Sequence, residues 1–121
     1  MLLYINGLKG IMVKQLILSK WLFMQGEQYC IDDPISAGLA ISIFQDSVEM
    51  FIWSLIKKFD VEVDKITPFY KYFELIKKSQ NNRNKDELPL KAKMLELNNA
   101  RVGFKHFGNL PDAREAQKFR G

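Results

Sequence analysis

Apolar residues along this chain recur at helical rather than strand spacing. Ile11, Met12, Leu16, Leu18, Leu22 and Phe23 predict a first helix that stops near Gly26, a residue whose tolerance of positive φ suits a helix end. Next, "DDPISAGLAISIFQDSVEMFIWSLIKKFD" carries the signals of a long helix. Asp33 is its N-cap, Pro34 its first helical residue, and about 25 residues later Lys57 and Lys58 sit where the negative end of the helix dipole favours cations. "TPFYKYFELIKKS" predicts a third helix, with Thr67 as N-cap, Pro68 in the first turn and a lysine pair at the end. A fourth starts around Pro89, carries "LKAKMLELNNARVGFKHF", and ends at Gly108 and Pro111. Strand-like alternation is confined to "DVEVDKI", residues 60–66, and the polar run "SQNNRNKDE", residues 79–87, reads as a loop.

The expected fold is therefore all-α: one domain over residues 1–121, a four-helix up-and-down bundle with a short or incomplete fifth helix in "PDAREAQKFRG". That last segment has no apolar face of its own on this reading, and "REAQKFRG" reads as a stretch that would continue into a further helix in a longer chain. The second helix is apolar around most of its circumference, through Ile35, Leu39, Ile43, Phe44, Phe51, Ile52, Trp53 and Leu55. Such a helix is either wholly buried or touches a second copy of the chain, which makes a homodimer an expectation.

Composition narrows the function classes. A chain of 121 residues with 47% hydrophobic content can bury a core. The single cysteine, Cys30, cannot form an internal disulfide and has no neighbour at metal-ligand spacing, so a reducing cytoplasm is the expected compartment and a loop or edge thiol the expected role. In the apolar N-terminus Lys9, Lys14 and Lys20 interrupt every run before the ~18 residues a membrane span needs. No basic segment precedes the apolar part and no small-residue cleavage site follows it. The expectation is a soluble protein with no membrane partner. The net charge of +4 is uneven: residues 1–60 carry five Lys or Arg against six Asp or Glu, and residues 61–121 carry thirteen against eight. A basic half suits a polyanion.

That basic half contains the one histidine, in "LNNARVGFKHFGNLP". Arg101 and His106 stand in "RVGFKH", with Asn98 and Asn99 just before them and Lys105 beside the histidine. At these residues the chain resembles the HEPN superfamily, named for higher eukaryotes and prokaryotes nucleotide-binding, in its R-x4-H form. Members are helical bundles, often dimers, whose active branch carries an Arg and a His separated by four to six residues on the last core helices. The family pattern usually has a small polar residue after the Arg, where this chain has Val102.

The resemblance implies a metal-independent endoribonuclease with no cofactor, in which the RNA 2′-hydroxyl attacks the adjacent phosphate. His106 would move a proton, and Arg101 would hold phosphate oxygens through its forked guanidinium. Asn98, Asn99, Lys105, Lys91 and Lys93 are the accompanying candidates for RNA contact, Lys91 and Lys93 as part of a basic group with Lys77, Lys78, Arg83 and Lys85 around the third loop. Family members act in toxin–antitoxin pairs, phage defence and RNA processing, so an antitoxin or other protein partner is implied alongside RNA. The same bundle without activity would be an interaction or nucleotide-binding module.

Helical geometry complicates the pair. Residues five apart lie about 140° apart around an ideal helix, so Arg101 and His106 do not share a face, whereas Asn98, Arg101 and Lys105 do. Either Gly103 loosens the turn between them or two chains each contribute one group. In the plainer reading, Arg101 and Lys105 form a solvated basic face and His106 ends a helix beside Phe104 and Phe107.

Other constellations carry less. Asp46 and Glu49 are spaced to share a helix face, as a solvated stripe or as two carboxylates for a metal or for acid/base work, with Asp46 lining the same cleft. Ser36, Ser42, Ser47 and Ser54 have no adjacent base, and Gly7, Gly10 and Gly26 stand singly rather than in a phosphate loop. The rings of "PFYKYF" could stack bases, although Phe69 and Phe73 repeat as a core-facing stripe does.

Overall fold

A computed structural model describes residues 2–30, 33–64, 66–79, 91–111 and 113–120. It is all-α, with five helices: α1 (Leu2–Gln28), α2 (Pro34–Lys58), α3 (Phe69–Lys78), α4 (Lys91–Phe107) and α5 (Ala113–Lys118). Pro89 and the 80–90 stretch, where the fourth helix and the third loop were expected to meet, lie outside the described residues.

Helix α2 forms as its sequence signals dictate. Asp33 caps it with extended backbone: Oδ1 accepts the Ile35 N–H at 3.3 Å and Oδ2 accepts the Ser36 hydroxyl at 2.9 Å, while Lys57 and Lys58 occupy the last turn. This is the central helix, packed most extensively along α1 and then against α4, α5 and α3. By length and composition it is also apolar enough to cross a membrane, the one such helix among the described residues. Half of its most apolar stretch is buried against the other helices.

Helix α1 runs past its expected end. Gly26 is helical and buried, and a Cβ there would lie 2.6 Å from the Phe44 ring, so this glycine admits an aromatic ring rather than stopping a helix. The ring of Phe23 meets the same Phe44 at 5.1 Å. Further along, Ser19 and Ser47 each donate a hydroxyl to the other's backbone carbonyl, at 2.7 and 2.6 Å. Pairing 26 with 44 and 19 with 47 makes the two helices antiparallel.

The core has two parts. One joins Ala37, Ala40, Ile41 and Phe44 of α2 to Leu97, Cys30, Ala116 and Phe119. Helix α5 thus has an apolar contact that its sequence did not advertise: Ala116 is wholly buried and Phe119 nearly so. The other part joins Ile52 and Ile56 to Phe73 and Ile76. Phe69 and Phe73 meet edge to face at 5.4 Å, and Tyr72 packs on Trp53 at 5.7 Å, so the "PFYKYF" rings are mainly core, with Tyr70 exposed.

Two local expectations change. Thr67 does not cap α3. Its hydroxyl accepts the Asp64 N–H at 3.1 Å, its own N–H donates to the Asp64 carbonyl, and Pro68 takes the cap position. The alternation of residues 60–66 is real in burial, Val61 and Val63 being tucked against the second cluster while Glu62 and Asp64 are exposed. No strand forms among the described residues, because nothing pairs with this segment.

Candidate functional site

Helix α4 lies antiparallel on α2, with Gly38 against Phe104 and Gln45 against Asn98. The helix is unbroken from Lys91 to Phe107, Gly103 included, so the loosened turn that could have brought Arg101 and His106 onto one face does not occur. It stops where expected: Gly108 has φ +66°, and the Asn109 N–H returns to the Gly103 carbonyl at 3.1 Å.

The sequence-derived site residues divide between faces. Asn98 and Arg101 turn toward α2. His106 and Asn99 are both exposed and, seven residues apart, lie within about 20° of each other around the helix. Lys105 is exposed near the helix end. Lys91 starts the helix, and Lys93 lines an apolar groove on the α1 side.

The seam between α2 and α4 is unusually polar for so apolar a helix. Gln45 is completely buried. Its amide nitrogen donates to Asn98 Oδ1 at 3.1 Å and to Glu49 Oε1 at 3.4 Å. Arg101 Nη2 lies 3.8 Å from Asp46 Oδ1, with the arginine side chain 24% exposed. Three buried atoms here, Ser42 Oγ, Gln45 Oε1 and Arg101 Nε, have no hydrogen-bond partner. The antiparallel register sets Ser42 level with Arg101, so these unspent groups belong to one stretch of the seam. The Arg101 Nε is closed off from solvent, so an oxyanion ligand would have to meet the exposed part of the guanidinium, which has five N–H donors in all.

Gln45 and Ser42 were missed as site residues. The signal was present: Ser42, Gln45 and Glu49 repeat at helical spacing within an otherwise apolar helix, and such a repeat demands polar partners on the facing element. Asp46 and Glu49 do line this seam, but no cluster of three or more metal-ligating side chains occurs among the described residues. Cys30 follows α1 as a loop residue yet is buried. Its thiol contacts the Gly26 carbonyl at 3.6 Å, and desolvation, against the opposing pull of Arg120, pushes its pKa up. That is the setting of an inert thiol rather than a nucleophile.

The bundle end that carries His106 is apolar at its surface. The Gly38–Phe104 contact places the first turns of α2 beside the last turns of α4, and Ile35, Leu39, Phe107 and Leu110 are all exposed there, Phe107 to 73%.

No family model, curated protein or solved structure matches the chain.

Proposed function

We propose that this chain is a HEPN-like, RNA-directed endoribonuclease that cleaves without a metal by 2′-hydroxyl attack. Arg101 holds the phosphate and His106 transfers the proton. The observation that carries this reading is the placement of Arg101: on a basic helix, partly exposed, with its Nη2 held 3.8 Å from Asp46 Oδ1. A guanidinium so placed is ordered before the phosphate arrives, which lowers the entropic cost of engaging it.

One chain presents Arg101 and His106 on different faces, so the complete site is a homodimer in which the two His106 end regions meet. Ile35, Leu39, Phe107 and Leu110 supply the apolar surface for that contact, and on this reading Lys105 and Asn99 meet the RNA backbone near the site, with Lys91 further along it at the other end of α4. Two histidines in one cleft also answer the chemical need for both a base and an acid in a single step.

The test is incubation of the purified chain with total RNA in EDTA, beside His106→Ala and Arg101→Ala of verified fold and oligomeric state. Cleavage by the wild type alone, leaving cyclic-phosphate and 5′-hydroxyl ends, is the expected result. Loss of the dimer on Phe107→Glu should abolish cutting in parallel.

A second reading, a catalytically inactive HEPN-like interaction or nucleotide-binding module, is favoured by Val102 after the arginine and by the unbroken helix at Gly103. It predicts that wild type and both variants leave RNA intact while remaining folded and equally associated.

A further inference from the structure

Helices α1 and α4 flank α2 with an open groove between them. Its floor is Phe44, Val48 and Phe51, and Phe119 lies at one end. Two adjoining cavities of about 250 and 380 Å³ share Phe23, Val48 and Met94, so they form one continuous slot. Their combined size falls within the roughly 300–1,000 Å³ of small-molecule sites.

The chemistry of the slot is simple. Its walls are apolar except for two serines and two lysines. The hydroxyls of Ser19 and Ser47 are taken up by each other's carbonyls. That leaves the ammonium groups of Lys20, on the α1 rim, and Lys93, on the α4 rim, and neither makes an ion pair among the described residues. Lys20 lines one cavity and Lys93 the other, and the two cavities adjoin at Phe23, Val48 and Met94, so one cation stands on each side of that junction.

Size selects the occupant. A continuous apolar slot of this volume, lined by side chains from α1, α2 and α4, accommodates an extended alkyl chain. Facing lysines favour an anionic head group and disfavour a cationic one, and Met94 provides an adaptable wall for a flexible tail. We propose that this groove binds a single-chain amphiphile with an anionic head, of the long-chain carboxylate class. Its tail lies along Phe23, Val48 and Met94, and its head lies between Lys20 and Lys93. This site is separate from the Arg101 seam and does not depend on RNA cleavage.

Calorimetric titration of the full chain with octanoate, decanoate and dodecanoate, each below its micelle-forming concentration, tests the assignment, with decyltrimethylammonium as the opposite-charge control. The expected result is saturable binding that tightens roughly fourfold per added methylene as apolar surface is buried. Lys20→Glu combined with Lys93→Glu should weaken carboxylate binding at least tenfold and admit the cationic control. Val48→Trp, which fills the slot, should abolish binding with helical content unchanged. If that variant does not fold, Met94→Trp fills the slot from the other wall. Absence of saturable binding by the wild type overturns the proposal, whether the groove is closed by self-association or by side-chain collapse. Equal affinity for carboxylate and ammonium heads, or an unchanged affinity in the charge-reversed variant, overturns it as well.

Discussion

Gly38 lies so close to the ring of Phe104 that a Cβ on it would be 2.4 Å from Cε2. The contact fixes how near α2 and α4 approach, and with it the seam that holds Arg101. Gly38→Ala gains helix propensity of up to about 1 kcal/mol, but it forces the ring and its helix outward. The net expectation is a loss of about 1–2 kcal/mol, read as a lower urea midpoint with unchanged helical content.

Gly103 is the opposite case. It sits inside α4, where a Cβ would meet only Asn109 Nδ2 at 3.5 Å, an ordinary contact. Gly103→Ala should stabilise the chain by about 0.5–1 kcal/mol, since glycine is the costlier residue in a helix interior. RNA cleavage, if it is present, should survive the change. An activity that required the turn to loosen at Gly103 would be lost, and the two-chain site with it.

Asn98 supplies the shorter of the two hydrogen bonds made by the buried Gln45 amide. Asn98→Ala leaves Gln45 with the 3.4 Å contact to Glu49 alone, and should cost about 1–2 kcal/mol. Asn98→Asp, which keeps the acceptor oxygen, should recover most of that loss. Chemical denaturation of the two variants side by side separates the hydrogen bond from simple loss of side-chain bulk.

Alkaline pH should destabilise the fold through Cys30. Burial raises the pKa of its thiol in the folded chain, so the neutral form is the one the fold prefers. Its contribution is complete below the ordinary thiol value of about 8.5 and is lost as pH rises through the raised folded value. Tyr72, raised by burial and by the nearby Glu49, adds to the same trend at higher pH. Urea midpoints measured from pH 7.5 to 10.5 should fall for the wild type and fall less for Cys30→Ala. Identical slopes in the two proteins would remove Cys30 from the account.

Local signals were readable in the chain, and tertiary ones were not. The Asp33–Pro34 start, the lysine ends of α2 and α3, and the Gly108 stop each act within a few residues of themselves, so sequence alone locates them. Gly26 was misread because its reason for being glycine is the Phe44 ring, a contact made only once α1 and α2 pack. The last segment seemed to lack an apolar face for the same reason: Ala116 of α5 and Phe119 just after it find their apolar partners in Ala37, Ala40 and Phe44 of α2. At the candidate site, the angular separation of Arg101 and His106 followed from helix geometry, and the unbroken helix bears it out. The partnership of Gln45 with Asn98 spans 53 positions, and spacing within one helix cannot report it. The lysine-rimmed groove likewise exists only once α1 and α4 lie on either side of α2.

The crossed serines of α1 and α2 bear on a question of uniqueness. Both helices are apolar on more than one side, so hydrophobic burial alone would be nearly as well served if α1 rotated, or slid by a turn, along its neighbour. Any such shift would cost Ser19 and Ser47 their interhelical acceptors and leave each hydroxyl only a carbonyl one turn back on its own helix, as Ser54 uses that of Phe51. The pair thus works as a detent: it adds little to the depth of the folded basin and much to the height of its walls against alternative docking phases. Replacing both serines by alanine should leave a chain that still melts as a helical protein, but whose amide spectrum broadens into several slowly exchanging arrangements.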